Sequence, residues 1–231
     1  ADNGNKLHRR EFEIVLEMVE PGSRVLDLGC GNGELLSLLR NRRDCRGTGV
    51  DIDPEQVIEV IDRGHDVVQG DIDAGLSMIP DGAYEYAILS ETLQAVRLPR
   101  LVLREMLRVA PTGIVIFPNF GSWSRRLQLG LRGRMPAADA EPARWFDCPC
   151  INPFTQKDFF DLCREDDIRI LDMVCLPFGM IGKALLRMRS CNLGADRTLV
   201  KIARANGVPK QAGCRRGTCL PGRFDGSATA E

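Results

Sequence analysis

Short runs with apolar residues on both faces alternate along this chain with segments whose apolar positions recur at helical spacing. Residues 11–20 place Phe12, Ile14, Val15, Met18 and Val19 on a helical face, and Pro21-Gly22 closes that helix. Residues 23–28 read as a short buried strand that runs into Gly29-Cys30-Gly31-Asn32-Gly33. A helix over residues 34–40 follows, with Leu35, Leu36, Leu38 and Leu39 on its apolar face. Residues 47–51 give a second strand. Asp53-Pro54-Glu55 supplies an N-cap, a proline at the first helical position and an early acid for the helix carrying Val57, Ile58, Val60 and Ile61. Residues 66–69, 84–89 and 113–117 are the third, fourth and fifth strands, with a helix over 100–108 between the last two.

Regularity lapses over residues 119–153, where arginines, prolines and both tryptophans gather, and the segment reads as an insertion or lid over the carboxyl edge of the sheet. It returns at Thr155, which with Asp158 forms a capping box ahead of Phe159, Phe160, Leu162 and Cys163. Residues 168–175 and 198–203 complete seven strands. Such alternation predicts an α/β fold: a mostly parallel, doubly wound sheet with helices on both faces and right-handed crossovers. The domain is expected over residues 1–206. Residues 207–231, rich in Gly, Pro, Arg and Cys, bury too little apolar surface to offset ordering entropy and are expected to form a floppy tail.

The bend between the first strand and its helix is the strongest chemical signal. Glycines lack Cβ, so backbone there approaches a ligand closely and adopts positive φ. The helix that begins after the bend turns its free N–H groups and its positive dipole end toward such a ligand. A dinucleotide fingerprint needs a glycine where this chain has Glu34, and a carboxylate there repels pyrophosphate, so the spacing disfavours a nicotinamide enzyme. Asp51 ends the second strand about twenty residues on, where a carboxylate accepts from ribose hydroxyls. Asp71 follows the third strand, where an acid accepts from an adenine amino group while Ile72 packs on the ring. Asp53 is expected mainly to cap its helix, and Cys30 to be a small filler rather than a nucleophile, since no His lies near it in sequence.

Taken together, Val25-Leu26-Asp27-Leu28-Gly29-Cys30-Gly31-Asn32-Gly33, Gly49-Val50-Asp51 and Gly70-Asp71 resemble the motifs of class I, Rossmann-like methyltransferases that use S-adenosylmethionine (SAM). A closer resemblance is to the MetW family of methionine-biosynthesis proteins. It is carried by residues 9–14 and 21–31, Ile88-Leu89-Ser90-Glu91-Thr92-Leu93-Gln94-Ala95, Phe117-Pro118-Asn119-Phe120-Gly121-Ser122-Trp123, and residues 132–136 and 159–163. The resemblance implies SAM, or its demethylated product S-adenosylhomocysteine, as cofactor. Asp27, Gly29 and Gly31 would hold the methionine end, Asp51 the ribose, and Asp71 with Ile72 the adenine; Cys30, Ile52 and Ser90 complete the expected binding set. It also implies action as a partner or activator of homoserine O-acyltransferase. The alternative is an active methyltransferase on a small metabolite. Glu91 as a base and Asn119 as pocket lining are the positions considered for catalysis, although a solvated loop carboxylate is the plainer reading of Glu91. From Pro177 onward the chain departs from the family's usual ending.

Charge and cysteine content narrow the picture. The chain has 31 basic and 32 acidic residues among 231, a balance that asks for neither nucleic acid nor an anionic membrane. The basic run Arg125-Arg126, Arg132 and Arg134 beside Trp123 admits an RNA reading, but aromatic interleaving is thin and the global charge is near neutral, so a solvated helix face or an interface with a protein partner is the reading taken and no nucleic acid is expected. Nine cysteines and two histidines do not make tetrahedral metal spacing, so no metal is expected. Cys30, Cys45, Cys163 and Cys175, each alone in an apolar segment, are expected to act as small hydrophobes. No secretory leader or spanning segment is read, and the expected location is cytoplasmic.

Overall fold

The structure is a computed structural model that describes residues 2–136 and 151–205. Sixteen of these segments are regular, and seven strands form one sheet: β1 Arg24–Leu28, β2 Arg46–Asp51, β3 Asp66–Gln69, β4 Tyr86–Ser90, β5 Thr112–Pro118, β6 Ile168–Pro177 and β7 Ala195–Arg204. Their order is β3-β2-β1-β4-β5-β7-β6. All neighbouring pairs through β5 are parallel; β7 inserts between β5 and β6 and runs antiparallel to both. This is the class I methyltransferase fold.

The strands are apolar on both faces because both are covered. On one face Leu26, Leu28, Ala87, Leu89, Val115 and Phe117 join the helices α4 (Pro99–Val109) and α6 (Gln156–Glu165). On the other, Val25, Ile88, Ile114 and Ile116 meet α1 (Asp2–Met18) and α2 (Glu34–Arg43). Successive strand residues therefore feed opposite cores, the period of two that a pleated strand imposes. The helix α3 (Pro54–Asp62) packs Val60 against Cys30 and Leu36.

Two sequence-derived caps are present as read. Asp53 Oδ1 accepts from the Glu55 N–H at 2.9 Å, and Thr155 and Asp158 form a reciprocal capping box. Other boundaries moved. The first helix begins at Asp2 rather than near residue 11, and the fourth strand begins at Tyr86, since Glu85 instead turns its side chain to the Arg24 guanidinium.

The irregular segment after β5 holds a helix the sequence pattern did not predict, α5 (Trp123–Arg132). Its one buried side chain is Arg125, whose guanidinium lies 5.0 Å from the Phe120 ring centroid and 3.8 Å from an Asp196 oxygen. Leu127 and Leu131 face outward. A helix anchored by an arginine leaves no apolar stripe to find. The basic run is thereby divided: Arg125 is internal, and Arg126 donates to the Gly121 carbonyl at 2.7 Å. Two further helices, α7 (Gly179–Arg187) and α8 (Cys191–Gly194), connect β6 to β7. The remainder of the expected lid, residues 137–150, and the expected tail lie outside the described residues, as do Cys148, Cys150, Cys214 and Cys219. Cys30, Cys45, Cys163 and Cys175 are buried free thiols. Burial pushes the Cys163 thiol up to about 12, so it packs as a neutral hydrophobe. Among the described residues no helix is long and apolar enough to cross a membrane.

Candidate functional site

The bend after β1 takes its shape from three left-handed glycines: Gly29 at φ 75°, Gly31 at 51° and Gly33 at 76°. Gly29 is obligatory twice over, because a Cβ there would lie 2.4 Å from Thr92 Oγ1. Thr92 sits just beyond β4, and its hydroxyl is within 2.9 Å of the Ser90 carbonyl and 3.2 Å of the Leu28 carbonyl. Gly29 N–H and Cys30 N–H both donate to the Val50 carbonyl, tying the bend to β2.

Asp51 points into this bend. One carboxylate oxygen accepts from the Gly31 N–H at 2.8 Å and the other from the Asp53 N–H at 3.0 Å. Asp27, 2% exposed, lies beneath, with Oδ1 buried and without a hydrogen-bond partner. Burial, helped by the nearby Asp51 charge, pushes the Asp27 carboxyl up from 3.8 to about 7. The same two influences, with Asp27 itself, push the Cys30 thiol up to about 12, which excludes a thiolate nucleophile there. Cys30 is the filler the sequence suggested, and it explains Gly49: a Cβ on Gly49 would lie 2.5 Å from Cys30 Sγ. The bend thus brings two carboxylates together, one of them buried with an unused oxygen.

The remaining predicted positions line the same edge. Ile52 is 63% exposed beside Asp51. Asp71 caps a 3-10 turn, Ile72–Ala74, accepting from the Asp73 N–H at 2.9 Å, and its other oxygen lies 3.4 Å from Arg97. Asp73 is the committed structural acid of the two. Its burial favours the neutral form, but donors from Arg97 and Leu98 outweigh this and hold the carboxyl below its ordinary value. Ile72 is turned largely into the core. Ser90, at the end of β4, has a buried Oγ without a partner.

Two expectations need correction. Asn119 is fully buried and spends its whole amide on structure. Its Nδ2 donates to the Asn192 and Ala195 carbonyls at 2.8 Å each, and its Oδ1 accepts from Gly121 N–H at 2.9 Å and Gln156 N–H at 3.0 Å. It pins the starts of α6 and β7 to the end of β5 and has nothing left to offer a substrate. Glu91 is not a solvated loop acid. It stands at φ 56° and pairs with the Arg197 guanidinium from β7. Arg197 also lies 3.3 Å from Glu11 of α1, a fully buried carboxylate 3.6 Å from His8. Among the described residues His8, Glu11 and Glu91 come within metal-ligand spacing of one another, but Arg197 already supplies the positive charge between the two acids. Neither Arg197 nor Glu11 was singled out from sequence, because the contact joins residues 11, 91 and 197.

The family description "Methionine biosynthesis protein MetW" matches residues 9–196. The chain belongs to the MetW family. A member named "Bifunctional methionine biosynthesis protein MetXA/MetW", from Rhodopirellula baltica, is 34% identical over 203 residues, covering 84% of this chain and 32% of its own length. A ribosomal protein L11 methyltransferase from Burkholderia mallei is 31% identical over 109 residues, 45% of this chain and 36% of its own. The chain thus spans about a third of the length of these relatives. Among solved structures, a SAM-dependent methyltransferase from Archaeoglobus fulgidus superposes with TM-score 0.63 at 15% identity, over 86% of this chain and 94% of that one. At that identity the likeness establishes the fold of this MetW family member and nothing finer.

Proposed function

We propose that this chain binds SAM at the bend after β1 and acts in methionine biosynthesis as a partner or activator of homoserine O-acyltransferase. The observation that carries the cofactor reading is the Asp27 carboxylate, buried with an unused oxygen beside Asp51. SAM brings an ammonium and a sulfonium, the donors and positive charge this pocket lacks. Asp27 and the Gly29 and Gly31 backbone would hold its methionine end, Asp51 the ribose, and Asp71 with the open Ile52 side chain the adenine, in place of the core-facing Ile72; Cys30 and Ser90 would shape the walls. When bound, SAM would supply an activated methyl group; the chain would supply alignment and the carboxylates of Asp27 and Asp51. With Asn119 committed to structure and Glu91 paired with Arg197, methyl transfer that needs a base gains no support from these side chains.

Between 3.8 and about 7 the folded protein keeps a proton on Asp27 that the unfolded chain has lost, so this group's contribution to stability falls as pH rises through that window. A cationic ligand favours the ionised form. SAM affinity is therefore expected to rise as pH goes from about 5.5 toward 7, by up to ~10-fold per unit, with proton release on binding below pH 7. Calorimetry in buffers of different ionisation enthalpy measures both. The Asp27→Asn variant should bind weakly with no such slope; a wild-type slope retained in the variant counts against the assignment.

The relative that carries MetXA and MetW in one polypeptide supports the partnership. The test is to mix this chain with the acyltransferase and follow co-elution and acyl transfer across SAM concentrations. Stable co-elution with changed acyl-transfer rate is expected. Separate elution with an unchanged rate refutes the partner role, and labelled methyl appearing on a metabolite would move the assignment to an active methyltransferase.

A further inference from the structure

A cavity of about 490 Å³ lies between α5, α6 and the loop into α8, outside the site above. It falls in the range of small-ligand pockets. Its lining holds four cationic side chains, Arg126, Lys157, Arg164 and Arg189, against one carboxylate, Asp161. Asp161 is occupied by Arg164 at 2.8 Å. Among the described residues neither Lys157 nor Arg189 has a carboxylate partner. Arg126 is held in place by its bond to the Gly121 carbonyl, so its charge is positioned before any ligand arrives. Phe160 and Leu193 add apolar wall. Topology places the cavity at the same edge of the sheet as the glycine bend: Asn192 is bonded to Asn119, at the carboxyl end of β5, two strands from β1.

We propose that this cavity binds a small organic anion, a carboxylate or phosphate ester with a short apolar body. Several cations lining one concave, partly apolar site reward an anion that they bond jointly, whereas a flat basic face offers no such concavity. The chain's net charge is -1, so the local excess of positive charge is a property of this place and not of the whole surface. The proposal stands independently of SAM binding.

The test titrates the full chain, at fixed ionic strength, with inorganic phosphate, with succinate and with the neutral succinamide. Saturable binding of at least one anion in the millimolar range or tighter is expected, with succinamide silent. In the double variant Lys157→Glu, Arg189→Glu the dissociation constant should rise by at least ~10-fold, through loss of two charge-assisted contacts. Both positions are exposed, and an unchanged thermal melt and SAM affinity would show the variant intact. Stronger binding of phosphate than succinate identifies a phosphoryl group, and the reverse a carboxylate. Binding of neither anion, equal binding of succinamide, or an unaffected double variant overturns the proposal. Failure of SAM to bind wild-type protein would instead strike only the earlier reading.

Discussion

Replacing Gly29 by Ala is expected to lower the melting temperature by about 10 °C. The left-handed backbone at φ 75° costs an L-residue roughly 1–2 kcal/mol. The added methyl also meets Thr92 Oγ1 at 2.4 Å and Cγ2 at 2.7 Å, overpacking of the kind that costs roughly 1–3 kcal/mol. Together these come to about 3 kcal/mol, and in a domain of this size each kcal/mol moves the transition by roughly 2–4 °C. The paired variant Gly29→Ala, Thr92→Ala should recover the contact portion and leave the backbone portion. A single variant that melts with the wild type would mean that β4's end does not press on the bend, and the site geometry would be wrong.

Substituting Asp51 should have the largest effect on ligand binding, a loss of SAM affinity of ~100-fold or more. Two hydrogen bonds from ribose hydroxyls to a charged acceptor contribute roughly 1.5–3 kcal/mol each. Asp51→Ala also removes acceptors from the Gly31 and Asp53 N–H groups, so the bend itself would loosen. Asp51→Asn is the sharper experiment. Its amide oxygen keeps one of those two bonds while the charge is gone, and ligand affinity can fall with the melting temperature close to wild type. Calorimetry with SAM and with S-adenosylhomocysteine reads the loss. An Asn variant that binds either as tightly as wild type would remove Asp51 from the nucleoside site.

Much of the scaffold was legible because its signals are local. The strands around Leu26, Leu28 and Ile88 announced themselves by apolar residues on both faces, and the Asp53 and Thr155 caps by side chains that bond within three residues. The glycine bend was legible for the same reason, since positive φ leaves few other residue choices. Helix α5 was not, because its anchor is a buried arginine whose partner, Asp196, lies 71 residues away. Asn119 was misread because a polar residue at a strand's carboxyl end looks like ligand chemistry until its four bonds are seen. Glu91 was misread because its guanidinium partner arrives on the antiparallel strand β7.

From its residues alone the chain declares a parallel sheet with a glycine-lined bend and acids at the next two strand ends, since backbone preference, capping and burial pattern act over a few positions. Folding had to decide where β7 inserts, which carboxylates keep or lose their charge, and which arginines turn inward or gather around the cavity by α8. Those outcomes depend on desolvation and charge summed over atoms that the chain brings together from far apart, and no short stretch of sequence contains that sum.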